Sequence, residues 1–157
     1  MKSIGKMRWR CLDLCEVWRP SLVTAVIKIG DLLWAVPGEE PVIPASEFEI
    51  YNGALIEARR QFRRKFVGVA MTVGHAGEKT PIQIATGGGF AFPLAAFQDR
   101  PLAKGDLFAP SAQHSRDRRY FSAIQLTRVT CEYEAIFRLF RVDDGDDHVF
   151  QIIEREG

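Results

Sequence analysis

Turn-forming residues punctuate this sequence so closely that most of its apolar runs have only strand length. "LVTAVIKIGDLLWAV" (22–36) is rich in β-branched residues and is split by Gly30-Asp31. Glycine accepts positive φ and Asp bonds its neighbouring backbone, so that pair marks a turn between two short strands or a bend in one. "FVGVAMTV" (66–73) is a near-continuous apolar run, followed by the turn "GHAGEK". In "PIQIATGGGFAFPL" (81–94), Ile82 and Ile84 alternate with Gln83, and Phe90 and Phe92 resume that period after three glycines. One segment has helical spacing. In "NGALIEARRQFRRKF" (52–66), Leu55, Ala58, Phe62 and Phe66 make an apolar face, with Asn52 or Gly53 as the expected cap. Arg59, Arg60, Arg63 and Arg64 fall largely off that face. Many short strands and one helix predict a mainly β fold: a small β-barrel or sandwich with one inserted α-helix, an N-terminal arm and a C-terminal hairpin.

The arm is read over residues 1–20, ahead of a single β-rich domain over 21–157. Trp9 and Trp18 alternate there with Arg8, Arg10 and Arg19, and Pro20 closes the segment. Tryptophans in a terminal arm either fold back on their own core or bury in a neighbour, so both are candidate partner contacts. "PGEEPVIPASEF" (37–48) holds three prolines and reads as a surface loop, as does the polar, basic "APSAQHSRDRRYFSAI" (109–124). After alternating segments, "DDGDD" (143–147) turns the chain into "HVFQIIE", the expected hairpin. Two echoes stand out: "KIGDLL" from Lys28 and "KGDLFA" from Lys104 both place Gly-Asp ahead of an apolar run. They suggest equivalent turns, Gly30-Asp31 and Gly105-Asp106, opening two strands. The core is expected to gather Phe62, Phe66, Val69, Ile82, Ile84, Phe90, Phe92 and Leu107.

The length of 157 residues suits one domain, and 46% hydrophobic with 26% charged residues suffices for a real core. A net charge of +1 gives no global push toward nucleic acid or an anionic membrane. No apolar run reaches membrane-spanning length, and the first residues lack the apolar stretch of a secretory signal. Three cysteines without framework spacing fit reduced thiols in a cytoplasmic setting.

Catalytic signatures fail one by one. A phosphate loop needs Gly-Lys-Ser/Thr leading into a helix, but Gly87, Gly88 and Gly89 lead into "FAFPL", a strand pattern. The run is better explained as a bend where backbones approach closely. His75, His114 and His148 stand alone in loop-like sequence, and Cys11 with Cys15 is a lone pair. No Gly-x-Ser-x-Gly elbow is present, and "DDGDDH" lacks a calcium-loop ligand series. No catalytic residue, cofactor or metal is assigned. The arginines of the helix, with Lys65, and the cluster Arg116, Arg118 and Arg119 are either a solvated surface or contacts to an acidic partner or phosphate. A protein partner ranks ahead of nucleic acid.

The order of these elements is similar to that of phage capsid decoration, or cement, proteins and their β-barrel relatives. "KIGDLLWAV", a proline-bearing loop, "FRRKFVGVAMT", "AGEKTPIQIATGGGFAFPLA" and "LAKGDLFAP" carry the resemblance, over Ile27 to Pro110. It implies a small β-barrel that binds the outside of an icosahedral shell, contacts the major capsid or shell protein, and catalyses nothing. A virion-surface location after assembly in host cytoplasm, a homo-oligomer and no membrane partner go with it. Two other classes stay open: a cytosolic nucleic-acid-binding barrel that uses the arginines, and an enzyme without a recognisable motif.

Overall fold

The computed structural model describes residues 15–22, 25–39, 41–51, 54–77, 79–92, 101–142 and 148–153. The strands are β1 (Cys15–Leu22), β2 (Leu32–Trp34), β3 (Ile43–Pro44), β4 (Phe66–Ala70), β5 (Lys79–Ala85), β6 (Gly89–Phe90), β7 (Leu107–Ser115), β8 (Arg118–Val129), β9 (Phe137–Arg141) and β10 (Val149–Ile152). A 3-10 turn (Ala45–Glu47) and one helix, α1 (Leu55–Lys65), lie between β3 and β4. The strands pair antiparallel in two five-stranded sheets, ordered β1-β5-β4-β2-β3 and β6-β10-β9-β7-β8. The sheets stack as a sandwich and do not close into a barrel.

The proline positions obey the ladder's need for N–H donors. Pro20 lies where the register of β1 against β5 slips, between Trp18 and Ser21. An edge strand has one side without a neighbour, and a missing donor is tolerated there or at a bulge. β1 runs through residue 20, so the arm boundary expected there is not an element boundary. Residues 15–20 belong to the first sheet, whereas Trp9 and the rest of 1–14 lie outside the described residues. Pro110 marks a similar slip in β7 against β8, beyond Leu107 and Phe108, where β7 also pairs with β9.

Four local expectations need correcting. Ala54 occupies the helix N-cap without a side-chain cap bond, although Asn52 or Gly53 was expected there. Those two residues lie outside the described set. Phe66 leaves the helix at φ −63°, ψ 129° and opens β4. The loop expected over 109–124 is mostly the hairpin β7–β8, reversed at Arg116-Asp117, with Arg116 at φ 54°. Its polar residues hid the strand period because Gln113, Ser111 and Gln125 bond one another across the ladder. The proline loop of 37–48 also turns inward at its end, where Val42, Pro44, Ala45 and Phe48 are buried.

Aromatic rings fill the space between the sheets. Phe62 from α1 meets Phe48 at 5.3 Å and Phe121 of β8 at 5.4 Å, both edge-on. Phe137 of β9 takes Phe66 at 6.1 Å and Phe92 at 5.2 Å. Such pairs add about 0.5–1.5 kcal/mol each beyond simple burial. Ile82 and Ile84, expected in this cluster, sit in a second one with Ile27, Leu33, Val42 and Ala70, and Leu107 is half-buried against a third. The strand period explains the split. Cross-strand partners share a face, and Ile84 pairs with Ala70 while Ala85 pairs with Val69, so the two pairs point to opposite sides.

The glycine run carries the chain from one sheet to the other. β5 ends at Ala85 in the first sheet, Gly88 takes φ 96°, and β6 starts at Gly89 in the second. Phe90 and Phe92 then point inward. Gly68 in β4 serves a different need: at φ 150°, a Cβ there would strike the Ala85 carbonyl oxygen and come within 2.7 Å of Ile84 Cγ2.

Phe66→Ala and Phe92→Ala are each expected to lower stability by about 3–5 kcal/mol, because each opens a cavity in the aromatic layer. Chemical denaturation of the purified variants measures this, and a loss below about 1 kcal/mol in both would contradict the core assignment.

Candidate functional site

The basic helix divides into stripes by its 3.6-residue period. Leu55, Ala58 and Phe62 face the aromatic layer. One flank, Arg59 and Arg63, is turned toward the segment before β9. Arg59 Nη1 lies 3.5 Å from Glu134 Oε1, and Arg63 Nε donates to the Ala135 carbonyl at 3.2 Å. Glu134 is itself buried. Desolvation pulls the Arg59 pKa down, opposed by the charge and hydrogen bond of Glu134. The outer stripe is Ile56, Arg60 and Arg64, all exposed, with Ile56 at 58%. Four arginines expected to act as one contact surface are thus split into two internal clasps and two free to face solvent. Lys65 bends back so that Nζ stands 5.9 Å from the Trp34 ring and 5.8 Å from Phe48.

The second cluster sits at the tip and base of the β7–β8 hairpin. Arg118 Nε pairs with Glu49 Oε1 at 2.9 Å, its Nη2 donates to the Ser46 carbonyl at 3.3 Å, and its guanidinium lies 5.0 Å from the Tyr120 ring. The Glu49–Tyr120 bridge, with Ile50 N–H donating to Arg119 O at 2.8 Å, joins the end of the 3-10 segment to β8. Arg118 therefore braces the junction of the two sheets at one edge, while Arg116 stays exposed at the tip. Glu49 and Glu134, the acidic partners in both clusters, were missed by sequence reasoning. Each is far in sequence from its arginine, and no short-range pattern reveals such a pair.

The turn residues divide similarly. Lys28 N–H donates to Asp31 Oδ2 at 2.9 Å, and Asp31 N–H closes the turn on Lys28 O at 3.0 Å. Asp106 repeats this with Ala103, at 2.9 and 3.0 Å, and also takes Arg128 Nη2 at 3.3 Å. Gly30 and Gly105 both adopt φ 95°. Gly87 and Gly89 are buried beside Gly88 at the sheet-to-sheet bend. Trp18 lies in β1 opposite Ile82. Trp34, not singled out from the sequence, packs 4.9 Å from Phe48 and donates Nε1–H to Pro44 O at 3.1 Å.

Among the described residues, no three His, Cys, Asp or Glu side chains are grouped to hold a metal, and no helix is long and apolar enough to cross a membrane. His75 and His114 are exposed, and Cys131 is a half-buried free thiol. What the arrangement offers chemically is an exposed apolar-and-cationic helix stripe suited to carboxylates or phosphates. Comparison with protein-family models, curated proteins and solved structures finds no match.

Glu134→Ala strips the partner from a largely desolvated Arg59, whose Nε is already buried without an acceptor. The expected loss is about 2–3 kcal/mol, between the exposed and buried limits for ion pairs. The double variant Arg59→Leu/Glu134→Leu should lose less. Denaturant midpoints for the three chains check the order. A second expectation concerns Asp31, whose carboxyl burial raises above the usual carboxylate range, against the lowering effects of the Lys28 amide bond and charge. Between the unfolded and raised values the folded chain holds more protons, so this contribution to stability grows as pH falls through the raised pKa and is lost as pH rises. Asp31→Asn keeps the acceptor for Lys28. The stability of wild type relative to this variant should therefore increase on acidification from neutral pH, and a constant difference would refute the assignment.

Proposed function

We propose that this is a non-enzymatic structural protein that binds the outside of a protein shell and reinforces it, acting as a homo-oligomer at a virion surface after assembly in host cytoplasm. The observation that carries the reading beyond the sequence resemblance is the stripe Ile56-Arg60-Arg64. It lies on the helix inserted between β3 and β4, and its internal flank is already anchored by Arg59 and Arg63. An exposed aliphatic beside two exposed arginines is a composition suited to a protein contact, because arginine combines charge with a weakly hydrated planar surface. Its place on a helix's outer side, in a chain of net charge +1, suits a broad partner surface better than a substrate. Residues 1–14, with Trp9, supply a second contact.

The test is co-sedimentation of the purified chain with the shell whose gene adjoins its own, together with the thermal stability of that shell. Binding is expected to raise the shell's melting temperature. Arg60→Glu/Arg64→Glu is expected to weaken binding at least tenfold, or about 1.4 kcal/mol. Removing residues 1–14 spares β1 and should weaken binding without unfolding the chain. A nucleic-acid reading predicts the opposite pattern: no sedimentation with the shell, and capture of duplex or single-stranded DNA that falls steeply with added salt. That result would sink the shell-binding proposal.

A further inference from the structure

The two Gly-Asp turns share more than sequence. Gly30 N–H donates to Ala70 O and Ala70 N–H donates back to Asp31 O, at 2.8 and 2.9 Å. Gly105 N–H donates to Leu139 O and Leu139 N–H donates back to Asp106 O, both at 2.8 Å. Each turn therefore opens a strand, β2 or β7, and locks it by the same reciprocal pair to the strand two further along the chain, β4 or β9.

The correspondence extends over both sheets. Numbered within its own half, each sheet has its strands in the order first, fifth, fourth, second, third. The registers agree residue by residue. Leu32 opposes Val69 as Leu107 opposes Arg138, and Leu33 opposes Gly68 as Phe108 opposes Phe137. Ala85 joins Val69 to Cys15 as Gln151 joins Arg138 to Gly89. Leu33 opposes Pro44 as Phe108 opposes Arg128. Followed from strand to strand, these pairings align the halves, with the two Gly-Asp turns as the anchor.

Burial supplies a second observation, which strand order alone does not entail. The small cluster of the first half contains Ile27, Leu33, Val42, Ala70 and Ile84. Their counterparts in this alignment are Leu102, Phe108, Leu126, Leu139 and Phe150, all in or packed against the aromatic core. The same positions build the apolar interior of each half. The opposite face differs: buried Leu32, Val69 and Ala85 of the first half become half-buried Leu107 and exposed Arg138 and Gln151 in the second.

We propose that the chain is a tandem duplication of one five-stranded unit, residues 15–85 and 89–153, joined at the glycine run. The face of the first copy that carries Leu32, Val69 and Ala85 is the docking surface for the interior of the second. The units stack face to back, and the far face of the second copy carries Arg138 and Gln151 beside the small apolar cluster of Ala109, Val129 and Ala135. The helix is an addition to the first copy alone. The second copy has the turn of residues 130–136 at the equivalent place, and Arg59 and Arg63 clasp that turn.

The test uses the full chain. Trading the turn residues between copies, as Lys28→Ala/Ile29→Lys/Ala103→Lys/Lys104→Ile, leaves composition unchanged. Equivalent units predict a folded protein whose Ala70 and Leu139 amides keep their protection from hydrogen exchange. Gly30→Ala and Gly105→Ala should then both shift the denaturant midpoint downward, since both force a side chain into the same left-handed conformation, the buried Gly30 more than the exposed Gly105. Loss of protection at either amide in the exchanged chain would overturn the proposal. So would a glycine substitution that is silent in one copy and damaging in the other.

Discussion

The layer of phenylalanines between the sheets is the contact on which the other features depend. Phe48, Phe62 and Phe121 bring together the segment after β3, the helix and β8, which are far apart in sequence. Phe66, Phe92 and Phe137 do the same for β4, the chain after the glycine run, and β9. Aromatic side chains bury large area, and their edge-to-face preference restricts how neighbours can sit. This layer places α1 so that its flank reaches Glu134 and Ala135 while its outer stripe stays in solvent.

Charge is used internally more than the sequence suggests. Arg59, Arg63, Arg118 and Arg128 each touch a partner across the fold, and three of those contacts close junctions between elements with no local connection. A guanidinium suits this role because its several donors can meet a carboxylate and a backbone carbonyl together. Arg118 does so with Glu49 and Ser46, and Arg128 with Asp106 and Pro101. The contact surface that remains is smaller than the count of arginines implies, and it is defined by which helical stripe faces away from the core.

A duplicated unit accounts for the otherwise separate roles of the glycines. Gly30 and Gly105 open equivalent strands, and the run at Gly87–Gly89 is the joint at which one copy ends and the next begins. A sharp crossing between sheets needs positive φ and close backbone approach, and glycine alone supplies both without strain. The short β3 and the twelve-residue β8 occupy the same place in their sheets, and the helix that follows β3 stands where the second copy has the turn of residues 130–136.

The sequence by itself determined the mainly β class, the helix ahead of β4, the Gly-Asp turns, the bend at the glycines and the closing hairpin. Each rests on chemistry within a few residues: backbone freedom at glycine, a side-chain acceptor at Asp, or an apolar period of two or 3.6. Only the tertiary structure decided between sandwich and barrel, divided the expected core among three clusters, and turned the polar stretch of 109–124 into a hairpin. It alone separated Arg59 and Arg63 from Arg60 and Arg64, because their environments depend on Glu134 and Ala135, more than seventy residues away in the case of Arg63 and Ala135. Strand order and sheet stacking are set by which apolar faces can be buried together, a property of the whole chain that no local pattern contains.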